Sequence, residues 1–128
     1  MQSLTAYPDG VTAEVLRSIS VKLRELRLRG VNDVIVDPGF GFAKTLEQNY
    51  RLMADLPLFA ELLDAPVLVG ISRKSMITKA LGVEPVDALN GTTALNTIAL
   101  LKGAQILRVH DVKACSEAVR IVSMLPQS

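Results

Sequence analysis

The sequence predicts an α/β fold, one leading helix followed by three βα units with a parallel sheet. Three observations point there. DVIV at 33–36, APVLVGI at 65–71 and QILRV at 105–109 are short, apolar and largely β-branched, the pattern of strands buried in a parallel sheet. The stretches between them carry apolar residues at helical spacing. Each run also leads into a polar cluster: Asp37, then Ser72-Arg73-Lys74, then Arg108, His110 and Asp111, at near-equal intervals along the chain.

The elements follow in order. Pro8-Asp9-Gly10 is turn chemistry that closes an initial loop. Val15, Ile19, Leu23 and Leu26 recur at helical spacing from Val11 to Arg29, and Gly30 stops the helix as a C′ glycine. Arg17, Lys22, Arg24, Arg27 and Arg29 lie along it, interrupted by Glu14 and Glu25. That alternation fits a solvated face. Thr45-Leu46-Glu47-Gln48 matches a capping box and opens a helix to about Leu56. Pro57 suits the first turn of a second helical piece, to about Leu63. Further helices are expected from Arg73 to Leu81, ended by Gly82, and from Thr92 to Lys102, ended by Gly103. Asp111 caps the last, which runs to about Met124.

With 128 residues, 49% hydrophobic and 21% charged, the chain has the length and apolar content of one ordinary domain, 1–128. Net charge is +1, which gives no electrostatic case for nucleic acid or membrane as partner. The N-terminal MQSLTAYPDG lacks the basic and apolar regions of a secretory signal. No apolar run reaches the ~18 residues of a membrane span, so a cytoplasmic location is expected. The single cysteine, Cys115, excludes an internal disulfide, and its helical context points to packing.

The polar clusters sit where parallel α/β sheets bind ligands, just past the carboxyl ends of the strands. Each also has a plainer reading. Asp37 starts a turn with Pro38-Gly39. Lys74 stands at a helix start, where a cation opposes the dipole. Arg108 and His110 are two positions apart on a strand end, so both can face one anion. Phe40 and Phe42 are two of only three phenylalanines, and their place in a glycine loop suggests an aromatic wall for a flat ligand. One histidine and one cysteine make no zinc site.

Taken together, DPGFGFAKT, GISRKSMI and LRVHDV, in this order and spacing, resemble dihydropteroate synthase of the folate pathway. The likeness runs from Val11 onward. It implies part of a (β/α)8 TIM barrel. It also implies an enzyme that joins 6-hydroxymethyl-7,8-dihydropterin pyrophosphate to p-aminobenzoate and releases pyrophosphate. By resemblance, Asp37 bonds the pterin ring, with Gly41 letting the backbone approach. Lys74 reaches the pterin and the reacting methylene. Ser72 and Phe42 lie by the p-aminobenzoate position, where sulfonamides also bind, and Arg73 shapes that pocket. Arg108 and His110 hold the departing pyrophosphate.

A whole barrel needs about 250 residues, and three strands are expected here, corresponding to the last units. The resemblance implies magnesium, whose protein ligand would lie on the first strand and is not in this chain. Little or no activity is therefore expected of the chain alone. A sheet cut from a barrel also has unpaired edges, so a homo-oligomer is expected. Two alternatives stay open: a non-catalytic, self-associating module, and another pterin-binding barrel such as a methyltetrahydrofolate methyltransferase.

Overall fold

A computed structural model describes residues 10–41 and 43–126; the Pro8-Asp9 turn and Phe42 lie outside the described residues. Among the described residues, six helices and two strands run in the expected order. They are α1 (Val11–Leu28), α2 (Leu46–Ala54), α3 (Pro57–Leu63), β1 (Leu68–Val69), α4 (Ser75–Leu81), α5 (Leu89–Leu101), β2 (Ile106–Leu107) and α6 (Val112–Ser123). A 3-10 turn at Pro85–Asp87 precedes α5, so that helical region begins earlier than the expected Thr92.

The sheet is parallel, with Leu68 opposite Ile106 and Val69 opposite Leu107. The first expected strand, 33–36, contributes only an isolated parallel bridge, Val36 to Val67. Its bonds run from the Val36 N–H to the Pro66 carbonyl at 2.9 Å and from the Leu68 N–H to the Val36 carbonyl at 2.8 Å. The reason for its shortness is chemical. One step further back, the donor due to return a bond is residue 66, and proline has no N–H. The ladder stops there, and Ile35 is left 54% exposed. Both other strands are likewise shorter than the apolar runs that announced them.

Local signals set the helix ends. Thr45 and Gln48 form the full capping box, with the Gln48 N–H on Thr45 Oγ1 at 3.1 Å and the Thr45 N–H on Gln48 Oε1 at 2.9 Å. Pro57 occupies the first turn of α3. Gly30, Gly82 and Gly103 take positive φ at helix ends. Arg27 is exposed, as a solvated face requires, and it also makes long-range bonds. Its Nη2 donates to the carbonyls of Leu63 and Asp64, at 3.0 and 2.9 Å, closing the end of α3.

The core lies between the sheet and its helices. Val67, Val69 and Ile71 alternate toward it from the 65–71 run and meet Leu52, Phe59, Met76, Ile77 and Ala99, all buried. Helix α2 packs on α1 and α4, and α5 on α4 and α6. Leu68, Ile106 and Leu107 are only half-buried, so the other face of the sheet is less covered. Cys115 is buried in α6, and burial pushes its thiol pKa up, in keeping with a packing role. Among the described residues, no helix is long and apolar enough to cross a membrane.

Candidate active site

The loop after Val36 is built by hydrogen bonds that its own sequence supplies. Asp37 Oδ1 accepts the Gly39 N–H at 2.8 Å, so the turn role of Asp37 is present. Gly39 and Gly41 hold φ of 77° and 86°, a region where a side chain is strained. The Gly41 N–H donates to Asn49 Oδ1 at 2.7 Å, and Asn49 Nδ2 donates to the Thr45 carbonyl at 3.1 Å. Asn49 is buried. Two lysines tie down the carbonyls between: Lys44 Nζ reaches Gly39 at 2.6 Å and Lys74 Nζ reaches Phe40 at 3.1 Å.

The loop after β1 is shaped by Arg73. Its φ of +55° is left-handed, and it delays the start of α4 to Ser75, leaving Lys74 extended at the helix N-cap. The turn sends Ser72 and Lys74 to different partners. Ser72 is buried, and its Oγ lies 3.0 Å from His110 Nδ1 and accepts the His110 N–H at 3.3 Å. Arg73 itself turns away. Its Nε and Nη2 donate to the two oxygens of Asp111 at 3.1 and 2.9 Å, and its Nη1 donates to the Pro85 carbonyl at 2.6 Å. This corrects one expectation. Asp111 sits at the N-cap of α6 but makes no capping bond; its carboxylate prefers a guanidinium that accepts no competition from a backbone N–H. Arg73, expected to shape a substrate pocket, lines neither of the cavities described next.

Two cavities open at the carboxyl ends of the strands. The larger, about 420 Å³, is lined by Asp37, Gly39, Phe40, Gly41, Lys74, Ser75 and Arg108. The smaller, about 230 Å³, is lined by Gly70, Ser72, Lys74, Arg108, Val109 and His110. Lys74 and Arg108 belong to both. All three strand ends thus contribute, and Asp37, Gly41, Ser72, Lys74, Arg108 and His110 are brought together as the motif spacing suggested. Phe40 is 2% exposed; its ring is core, and its carbonyl anchors Lys74.

The charge balance is cationic. Burial holds the Lys74 pKa below the ordinary lysine range, the Arg108 guanidinium pushes it further down, and Asp37 opposes both. Burial also lowers Lys44, with Asp37 opposing and Lys74 assisting. Two amines and a guanidinium therefore share one carboxylate, and their mutual repulsion is relieved by a polyanion.

Four contributors escaped the reading of the sequence. Lys44 and Asn49 build the loop, Ser75 lines the larger cavity, and Gly70 lies beneath Arg108. A Cβ on Gly70 would stand 3.1 Å from Arg108 Nη2 and 3.2 Å from Nε. A lone glycine in a strand run is a signal of such close approach. Asn49, inside an ordinary amphipathic helix, gave none.

Comparison with known proteins follows the same lines. The family model described as "Pterin binding enzyme" matches residues 1–110. The chain belongs to the pterin-binding enzymes. It is 44% identical over 124 residues to the dihydropteroate synthase of Escherichia coli K12, covering 95% of this chain and 43% of that protein. It is 41% identical over 128 residues to the enzyme of a Synechocystis species, covering 98% of this chain and 44% of that one. Among solved structures, dihydropteroate synthase from Thermus thermophilus in complex with 6HMPPP superposes with a TM-score of 0.90 at 40% identity, covering 98% of this chain and 51% of that one. The same enzyme in complex with 4-aminobenzoate gives 0.88 at 41% identity, covering 94% and 47%. The fold is therefore a partial (β/α)8 barrel, and the chain spans about half the length of the relatives it matches.

Proposed function

We propose that this chain carries the pyrophosphate-holding part of a dihydropteroate synthase site and serves folate biosynthesis in the cytoplasm. The observation that carries the reading is the meeting of Asp37, Lys74 and Arg108 on one cavity at the strand ends. The substrates would be 6-hydroxymethyl-7,8-dihydropterin pyrophosphate and p-aminobenzoate. Asp37 accepts N–H bonds from the amino-pyrimidine edge of the pterin and fixes its orientation. The aniline nitrogen lends its lone pair to the pterin methylene. The C–O bond breaks, its electron pair leaves with pyrophosphate, and the aniline proton passes to solvent. Arg108, Lys74 and the His110 ring stabilise the charge that builds on the leaving oxygens. Ser72, bonded to His110, holds that ring at the smaller cavity, and Phe42, on its motif alone, is assigned to the p-aminobenzoate position.

Magnesium does not fit the residues present. Asp37 is the one carboxylate lining the larger cavity, and among the described residues no group of three or more His, Cys, Asp or Glu side chains is placed to hold a metal ion. No step here runs through it.

Two consequences belong to the proposal. Three strand ends furnish only part of a site, so the purified chain, given both substrates and magnesium, turns over little or no product. Substantial dihydropteroate formation would show that the groups named here suffice. The open sheet, with Ile35 at its edge 54% exposed, favours a homo-oligomer. Sedimentation that finds only monomer at micromolar concentration would contradict it.

A further inference from the structure

The two loops that flank the smaller cavity are joined by two adjacent rungs. Ser72 meets His110, and Arg73 meets Asp111, each pair separated by 38 residues. The second rung touches neither cavity, yet it is the more elaborate. Arg73 adopts a left-handed backbone that a side chain enters at a cost, and such outliers persist only where the surroundings over-determine them. Here they do. The Arg73 N–H donates to Thr92 Oγ1 at 3.1 Å, and the Thr92 hydroxyl, buried, donates to the Ala88 carbonyl at 2.7 Å. The guanidinium takes both oxygens of Asp111 and the Pro85 carbonyl. Both side chains are 25% exposed, and a two-pronged guanidinium–carboxylate contact adds geometric specificity as well as energy. What the pair fixes is register: its members stand next to Ser72 and Lys74 on one loop and next to His110 on the other.

We propose that the Arg73–Asp111 pair is a positioning device that locks the β1–α4 loop to the β2–α6 loop, so that Lys74, Arg108 and His110 converge on one pyrophosphate. This rests on the pyrophosphate reading above. Arg73 and Asp111 act through their neighbours, without contact to the ligand.

The test is calorimetric titration of inorganic pyrophosphate into the full chain and into Arg73→Gly, Asp111→Asn and the double variant, with thermal melts of each. Glycine accepts the positive φ and asparagine keeps the shape of aspartate, so each single variant checks the other's folding. The expected result is cooperative melts lowered by a few degrees at most and binding weakened about tenfold, the low end of what losing an orienting outer partner costs at a metal site. The double variant should be no worse than Arg73→Gly, because that substitution already removes the Asp111 contact along with the bond to Pro85. The chain's one histidine gives a second readout. Its ring nitrogen signals in Arg73→Gly should move toward those of Ser72→Ala, as the first rung loosens with the second. Variants that bind as wild type, or leave the His110 ring signals unmoved, overturn the positioning role alone. Absence of binding by wild type overturns the pyrophosphate reading, and this proposal with it.

Discussion

Replacing Gly70 with alanine separates the fold from the site. The new Cβ would lie 3.1 Å from Arg108 Nη2, 3.2 Å from Nε and 3.5 Å from Cζ, so its three nearest neighbours all belong to that one side chain. The strain therefore falls on the end of one flexible side chain, which gives way by a few tenths of an ångström. Gly70 has no positive φ, so alanine is allowed there, and it narrows the unfolded ensemble by about 0.4–1 kcal/mol. The fold should gain slightly, roughly 2 °C in Tm for a domain of this size. Binding should lose. A hydrogen bond to a charged group contributes about 1.5–3 kcal/mol. Tilting the guanidinium forfeits part of it, about 1 kcal/mol, or roughly fivefold in the Kd for pyrophosphate. Calorimetry paired with a thermal melt reads both signs. A Tm lowered by several degrees with unchanged affinity would refute the reasoning, because it would place the contact in the fold and not in the site.

Other perturbations have equally definite signs. In Gly91→Ala the added Cβ meets Ile77 Cγ2 at 2.5 Å and Leu81 Cδ1 at 2.8 Å. Overpacking of about 1–3 kcal/mol then outweighs about 1 kcal/mol of helix propensity, and urea unfolding should show net destabilisation. Asn49→Leu strips the Gly41 N–H of its partner and leaves the Thr45 carbonyl with only the Asn49 backbone N–H; denaturant titration should register a loss of about 1–3 kcal/mol. Arg27→Met leaves the carbonyls of Leu63 and Asp64 without their donor, and about 1 kcal/mol should disappear from the same measurement. The Lys74 pKa, held below its ordinary 10.5 by burial and Arg108, gives a pH test. As pH rises through that lowered value the free chain loses the charge, and the wild-type affinity for pyrophosphate relative to Lys74→Arg declines; the ratio cancels the anion's own ionisation. Stability runs the other way. Below the lowered value the folded chain bears the full cost of the buried charge, and that cost is relieved as pH rises through it. A ratio flat to pH 10.5 would contradict the assignment.

How much was legible in the sequence depends on how local the cause is. The Thr45–Gln48 capping box, Pro57 and the glycines after α1, α4 and α5 each act within a few residues, and the helices end close to where they indicate. The strands are a different matter. An apolar β-branched run says that a segment is extended and buried, but pairing requires a donor on the neighbour. Pro66, far along the chain from the 33–36 run and beside it in space, withholds one. The site behaves alike. Asp37, Lys74 and Arg108 were visible because a parallel sheet brings the residues after its strands to one edge. The turn of Arg73 toward Asp111 was hidden, since it depends on a backbone angle no local motif announces. Asn49 was hidden because a buried amide that satisfies another loop looks, in one dimension, like any polar residue of a helix.

The most direct test of the account is a calorimetric titration of 6-hydroxymethyl-7,8-dihydropterin pyrophosphate into the chain, with Asp37→Asn and Arg108→Ala alongside. One molecule bound per chain is predicted. Affinity should fall in both variants, by roughly 10–100-fold for Arg108→Ala, as expected from removing a bond of about 1.5–3 kcal/mol to a charged group. No measurable binding, or binding that neither substitution alters, would contradict the claim that these strand ends form the pterin pyrophosphate site.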